Sequence, residues 1–298
     1  MVKFYMLIGL PGSGKSEIAR QLADSNTVIL SSDAIRKEFY GDESIQDDPA
    51  KIFEEMQRRT IAALKSGKNA IYDATNISRK KRKHLLSSIN IPCKKIAYVV
   101  WARYETCLAR DAARNRNVGE SVIKRMLLNF QPPYYDEGWD DIEFKLNDEP
   151  YKRSDYDNWL DCNHDNPHHN NTVKEHTLRV MTEAAKLQKS RMQGRGVAIS
   201  LLIAASLHDI GKKFVKDFKN SRGEPSEIAH FYNHQNVGSY FAIGYDETLG
   251  LHIKQRALIY WIINVHMDPF LKTKYSEALS EELSKLLETF HQCDVAGA

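Results

Sequence analysis

Residues 9–16 read GLPGSGKS, a complete G-x-x-x-x-G-K-[ST] sequence, and its flanks restrict the local fold to strand, turn and helix. Lys3 to Ile8 (KFYMLI) is a short apolar run suited to a buried strand. Ser16 to Ala23 has helical periodicity, with Ile18, Ala19 and Leu22 on one face. Glycines in such a loop let backbone N–H groups turn inward and cradle phosphate oxygens at a helix N-terminus. Gly12, Ser13 and Gly14 are therefore expected to line a phosphate site. Lys15 is expected to reach the β- and γ-phosphates of a nucleoside triphosphate such as ATP, with the Ser16 hydroxyl on Mg2+.

The pattern after the loop predicts an α/β domain. Thr27 to Leu30, Ala70 to Tyr72 and Ile96 to Trp101 read as parallel strands. Pro49 to Leu64, Ser78 to Ile89 and Thr106 to Asn115 read as crossover helices. The texture changes near Asn147. Residues 147–171 are rich in Asp, Asn, Pro and His and read as a connection. Beyond it, Thr172 to Lys189, Val197 to Leu207, His230 to Ile243, Ile253 to Val265 and Ser276 to Gln292 read as helices, with no strand signal. The expected architecture is an α/β P-loop domain over residues 1–150, followed by an all-α bundle over 151–298. The chain has 298 residues, enough for two cores. No apolar stretch is long enough to span a membrane, and no leader precedes the first strand, so the expectation is a cytoplasmic protein without a membrane partner. Cys93, Cys107, Cys162 and Cys293 are scattered and are expected to be reduced thiols. A net charge of +3 is too small to demonstrate a nucleic-acid partner by itself.

Three clusters fall where the chain leaves predicted strands, the end at which open α/β sheets bind ligands. In SSDAIR, Asp33 can take a proton from an attacking hydroxyl, and Arg36 shares its helical face and can hold a phosphate. The structural alternative for Asp33 is a helix N-cap. In DATNISRKKRK, Asp73 ends a strand, Asn76 offers a short polar contact, and Arg79 to Lys83 are five successive cations. Cations are mildly unfavourable at a helix N-terminus, and a polyanion would offset that cost, whereas a solvated helix face is the usual alternative. In ARDAARNRNVG, Arg110 and Arg114 share a predicted helical face and Arg116 follows. Such arginines neutralise charge on a transferred phosphoryl group.

These clusters, in this order, resemble the kinase domain of the polynucleotide kinase family, which phosphorylates 5′-OH ends of RNA or DNA. The resemblance covers about the first half of the chain. It implies Lys15 and Ser16 on the donor phosphates and Mg2+, Asp33 as general base and Arg36 on the acceptor phosphate. Arg110 and Arg114, with Arg116, would sit on the donor phosphates. Asp73, Asn76 and Arg79 carry over as acceptor-site or scaffold residues.

The second half is marked by HDIGKK at 208–213. Its company is His176, His234, His266 and Asp294, each on its own predicted helix, so a bundle can converge them. Imidazole with carboxylate suits Mn, Fe, Co, Ni or Zn better than Ca. The set resembles the HD phosphohydrolase superfamily, and NPHHNNTVKEHTLRV looks like the HD domain attached to some bacterial tRNA nucleotidyltransferases. The resemblance implies a first metal on His176, His208, Asp209 and Asp294. His234 and His266 would hold a second metal or contact the phosphate, for metal-assisted hydrolysis of a phosphoester. It also implies chain beyond Asp294, which lies four residues before the end. His164, His168, His252 and His291 read as ordinary core or surface groups. His169 stays undecided, as does His230, which lies four residues before His234 on a predicted common helical face.

Fusions of these two modules are end-healing enzymes. The expected function is therefore phosphorylation of 5′-OH ends with NTP and Mg2+, plus metal-dependent removal of a 3′-phosphate or 2′,3′-cyclic phosphate, with a ligase acting downstream. One alternative is a small-molecule or nucleoside kinase fused to a nucleotidase. A non-enzyme alternative is a nucleotide-gated binding module with a vestigial HD domain.

Overall fold

The computed structural model describes residues 1–297 except 44, 46, 115, 167–170, 190–194, 272–274, 276 and 277. His168 and His169 lie outside the described residues. The chain divides into two compact units. One comprises Met1–Met126 and Pro133–Glu149, and the other comprises Leu127–Pro132 and Pro150–Ala298. The sequence boundary near Asn147 did not anticipate that the short segment 127–132 goes with the second unit.

The first unit is a five-stranded parallel sheet in the order β2-β3-β1-β4-β5. Its strands are β1 (Lys3–Ile8), β2 (Thr27–Ser31), β3 (Asn69–Asp73), β4 (Lys94–Trp101) and β5 (Asp141–Leu146). The helices are α1 (Lys15–Leu22), α2 (Ser32–Tyr40), α3 (Pro49–Lys65), α4 (Arg79–Ser88), α5 (Tyr104–Ala112) and α6 (Glu120–Leu127). β1 is central because its residues are apolar on both faces. Leu7 packs with Ile18, Ala19, Ile71, Tyr98 and Val100 in one core cluster, which seats α1 on the sheet. β5 was not read from the sequence. Its pattern is half exposed, as suits an edge strand. Because all five strands run parallel, their carboxyl ends lie along one edge of the sheet, where the phosphate loop leaves the central β1.

The second unit is helical around α13 (Ile253–Val265), which is buried from Arg256 to Val265. α9 (Arg195–Leu207) and α11 (His234–Ile243) pack on it, while α8 (Val173–Lys189) packs on α9 and on α15 (Glu281–Ala296). Helix α7 (Arg153–Leu160) and the one-turn helices α10 (Lys212–Val215), α12 (Asp246–Leu249) and α14 (Asp268–Leu271) complete it. Segment 127–132 belongs here through Phe130, which is fully buried edge-on to Tyr240 at 5.0 Å. The side-chain amides of Asn236 and Asn264 donate to the Leu128 and Phe130 carbonyls at 2.7 and 3.3 Å.

The expectation of helices alone is corrected by an antiparallel hairpin of β6 (Asp217–Lys219) and β7 (Pro225–His230). Asn220 folds its turn: the side-chain oxygen accepts from the N–H groups of Arg222 and Glu224. His230 therefore ends a strand, and α11 begins only at His234, after Asn233 in a left-handed conformation. The two histidines share no helical face.

Candidate active sites

In the first unit the loop of 9–16 closes over strand β1 as the motif requires. Gly14 has φ +94°, and a Cβ there would lie 2.0 Å from the Asn147 side-chain nitrogen. That approach has a purpose, because Asn147 at the end of β5 donates its side-chain N–H to the Ser13 carbonyl at 2.9 Å. Ser13 is itself fully buried. Arg110 spans the same region, donating to the Asn147 carbonyl at 2.9 Å and the Gly12 carbonyl at 3.4 Å. The loop is thus held from outside by α5 and β5.

Lys15 is buried and its Nζ donates to the Leu10 carbonyl at 2.7 Å. Burial pulls its pKa below the usual lysine value, with Asp73 opposing. The Ser16 hydroxyl donates to Asp73 Oδ2 at 2.8 Å. Burial raises the pKa of Asp73, with Lys15 and Ser16 opposing. A hydroxyl beside a desolvated carboxylate is a donor set that fits Mg2+. Asp73, which the sequence placed with the acceptor or the scaffold, stands on the phosphate-loop side.

Asp33 is not the N-cap of α2. Ser31 is, accepting from the Ala34 N–H, and the Asp33 side chain is 55% exposed in the first turn. Arg36 Nη1 lies 2.9 Å from Asp33 Oδ1, and Arg116 Nη1 lies 3.6 Å from the same oxygen and 3.7 Å from Glu43. Two arginines thus flank the exposed Asp33 carboxylate, and Asp33, Arg36 and Arg116 are together. Arg114 is exposed beyond the end of α5, so it does not share a helical face with Arg110. The buried Asp111, missed by sequence reading, fixes the loop that carries these arginines. Its carboxylate accepts from the N–H groups of Val118 and Gly119, each at 3.0 Å.

The cation run at 79–83 is divided. Lys80, Lys81 and Lys83 are exposed. Arg82 is fully buried in a two-pronged pair with Glu137, at 2.7 and 2.6 Å, and donates to the Asn76 carbonyl at 3.0 Å. Arg79 is buried with Nε 3.7 Å from Glu137. Asn76 has φ 48° and donates to the Leu7 carbonyl at 2.7 Å. Arg79, Arg82 and Asn76 therefore brace the strand ends from within, and Glu137 was the partner the sequence did not reveal.

In the second unit four histidines and two aspartates converge. Gly211 allows it: a Cβ there would lie 2.1 Å from the His234 carbonyl, so only glycine lets α11 approach the 208–211 turn. His176 Nε2 lies 3.2 Å from His208 Nε2 and 3.0 Å from Asp294 Oδ1. His234 Nε2 lies 3.1 Å from His266 Nε2 and 3.3 Å from Asp209 Oδ1. Asp209 Oδ2 faces His208 at 3.3 Å and His176 at 3.5 Å. Two groups able to hold a metal result, His176–His208–Asp209 and Asp209–His234–His266, with Asp209 common to both. All four Nδ1 atoms face backbone carbonyls, of Gly297, Ala205, Phe231 and Ile263. With protons there, the Nε2 lone pairs of neutral rings oppose one another at contact distance. That arrangement is repulsive unless a cation or proton lies between them, and it fits divalent metal.

Burial pulls down the pKa of His208, but Asp209 and Asp294 outweigh it and raise it to about 10. Burial, with the neighbouring His234 and His208, pushes His266 down to about 3. For Asp209 burial is opposed by His208 and Lys212, which hold its pKa well below the usual carboxylate range. Lys212 Nζ lies 2.7 Å from Asp209 Oδ2 and 3.1 Å from His164 Nε2. His164, read from sequence as an ordinary group, is buried against this lysine. His230 stands apart, with Nε2 3.1 Å from the Ser226 hydroxyl.

Residues 4–133 match the family model described as AAA domain, and residues 173–295 match the model described as HD domain. Fold and sites together define the class: a P-loop kinase-type domain followed by an HD domain. Among solved structures, the chain is similar to a chain of the "Pnkp1/Rnl/Hen1 complex", at 29% identity over 37% of this chain and 38% of that one (TM-score 0.34). It is similar to one from the "Pnkp1/Rnl/Hen1 RNA repair complex" at 26% identity over 43% of each chain (TM-score 0.39). It is also similar to a gluconokinase from Sinorhizobium meliloti at 17% identity over 48% of this chain and 82% of that one (TM-score 0.36). The chain spans less than half the length of the two repair-complex chains. The comparison with curated proteins gave no match. Among the described residues no helix is long and apolar enough to cross a membrane.

Proposed function

We propose that the chain heals broken polynucleotide ends, phosphorylating a 5′-OH in the first unit and removing a 3′-phosphate or 2′,3′-cyclic phosphate in the second. The observation that carries this reading is the pairing, in one chain, of a phosphate loop flanked by an exposed carboxylate between two arginines with a buried cluster of four histidines and two aspartates. Asp33 accepts the proton of the attacking hydroxyl, and Arg36 holds the acceptor's phosphate. Lys15 and Arg114 neutralise the donor phosphates, and Arg116 joins them on leaving Asp33. Arg110 acts through the loop backbone, whose carbonyls it binds. Ser16 and Asp73 would hold Mg2+.

In the second unit His176, His208, Asp209 and Asp294 would hold one transition metal, and Asp209, His234 and His266 another. Bound divalent ions acidify water and polarise a phosphoryl group. Lys212 adds a cation beside Asp209 for the phosphoester. A binding module with a vestigial HD half is disfavoured by the convergence of the complete ligand set. The test is an oligonucleotide with a 5′-OH and a 3′-phosphate, incubated with ATP, Mg2+ and Mn2+ or Ni2+, with products resolved by end group. Change at both ends supports the reading. No change at either end, with metal bound, turns the assignment to small nucleotides.

A further inference from the structure

Among the described residues, the large hydrophobic side chains left exposed are Met1, Val118, Leu178, Phe218, Tyr232 and Val295. The two aromatics belong to one segment, the β6–β7 hairpin and its exit, which leads directly into the candidate metal ligand His234. Core packing does not account for Phe218: Asp217, Phe218 and Lys219 are all exposed, so β6 is open on both faces. A two-stranded ribbon is marginal by itself, so an uncovered aromatic on it contributes little to folding. The hairpin is nevertheless ordered. Asn220 fixes its turn, and the Ala229 N–H donates to the Asp165 carbonyl at 2.9 Å.

Each aromatic is braced by a polar neighbour. Tyr232 stacks on His230, with ring centres 5.3 Å apart and planes 7° from parallel, and its hydroxyl lies 3.2 Å from His230 Nδ1. One ring face is thereby taken, and the side chain remains 48% exposed. The Lys216 ammonium lies 5.9 Å from the centre of the Phe218 ring. Lys219 and Arg222 are exposed at the turn and make no ion pair among the described residues. Preset aromatic faces interleaved with unpaired cations are the chemistry that takes unpaired bases and their phosphates.

We infer that the β6–β7 hairpin binds an unpaired polynucleotide strand, with bases on Phe218 and Tyr232 and phosphates on Lys219 and Arg222. It thereby receives the strand whose end the histidine cluster processes. This rests on the function proposed above and names how that site takes a strand rather than a mononucleotide.

The test is equilibrium binding of a 5′-fluorescein 12-nucleotide single strand to the full chain, by anisotropy, with RNA and DNA arms. Phe218→Ala with Tyr232→Ala is expected to weaken binding by about 100-fold, at roughly tenfold for each lost stack. Tyr232→Trp should keep wild-type affinity. Lys219→Ala with Arg222→Ala should lower the slope of log affinity against log salt by about 1.4. Metal content and Tm, measured alongside, confirm that the variants are folded. Unchanged affinity in the aromatic double variant overturns the inference. So does a wild-type chain that ignores both strands but self-associates through these aromatics. End-group chemistry of the wild-type chain separates the failures. Chemistry retained with unaltered binding sinks the hairpin alone, while no chemistry and no binding sink the functional reading too.

Discussion

Metal binding to the histidine cluster is expected to expel a proton. His208, at about 10 in the metal-free chain, is an imidazolium throughout the neutral range, because Asp209 and Asp294 outweigh its burial. A metal ligand must be neutral at Nε2, so the ion displaces that proton. The sign is fixed by the raised value: affinity is suppressed below about pH 10 and rises with pH toward it. His266, at about 3, is already neutral and has no proton to release. Between pH 7 and 9 the affinity for Mn2+ should rise about tenfold per pH unit, with about one proton released per first ion bound. At pH 7 the suppression is about a thousandfold, or ~4 kcal/mol at ~1.36 kcal/mol per unit. Titration calorimetry in buffers of low and high protonation heat reads the proton count directly. Affinity flat over this range, with no proton released, would refute the electrostatic account of the cluster.

Other consequences follow from single contacts. Arg82→Ala strips the buried Glu137 of its two-pronged partner and leaves it the longer Arg79 contact at 3.7 Å, which should cost about 3–5 kcal/mol and lower the Tm of the first unit by about 10 °C. Lys80→Ala should leave Tm unchanged, and equal effects in a thermal melt would show that the buried pair has been misread. Gly14→Ala forces a left-handed alanine, at about 1–2 kcal/mol, and displaces Asn147 from the Ser13 carbonyl. Stabilisation by MgATP in a thermal-shift assay should vanish, and an undiminished shift would count against the loop geometry. Phe130→Ala should destabilise the second unit by about 3–5 kcal/mol, and a fragment starting at Pro150 should melt well below one starting at Leu127. Equal melting would mean that segment 127–132 is not part of that core.

The phosphate loop was legible because its chemistry is contiguous: one octapeptide carries glycines, lysine and serine. The histidine cluster was legible for another reason. The ligands lie on or at the ends of separate helices, His208 and Asp209 together in the turn after α9 and His266 at the end of α13, and a bundle has few ways to converge them. Residues whose role depends on a partner far along the chain were not legible. Arg82 reads as one of five surface cations until Glu137, 55 residues on, closes over it. Asn147 is an ordinary loop residue until β5 brings it to Ser13, 134 residues away. The 217–230 hairpin was missed because Ser226 to His230 is too short to outweigh the helical texture that continues from His234. His230 was then carried onto the wrong element.

The most direct test divides the two ends. On an oligonucleotide bearing a 5′-OH and a 3′-phosphate, the account expects Asp33→Ala to abolish 5′ phosphorylation while 3′ dephosphorylation continues. Asp209→Ala, which removes the carboxylate common to both metal groups, should do the reverse. An Asp33→Ala chain that still phosphorylates the 5′ end, or an Asp209→Ala chain that still clears the 3′ end, would contradict it.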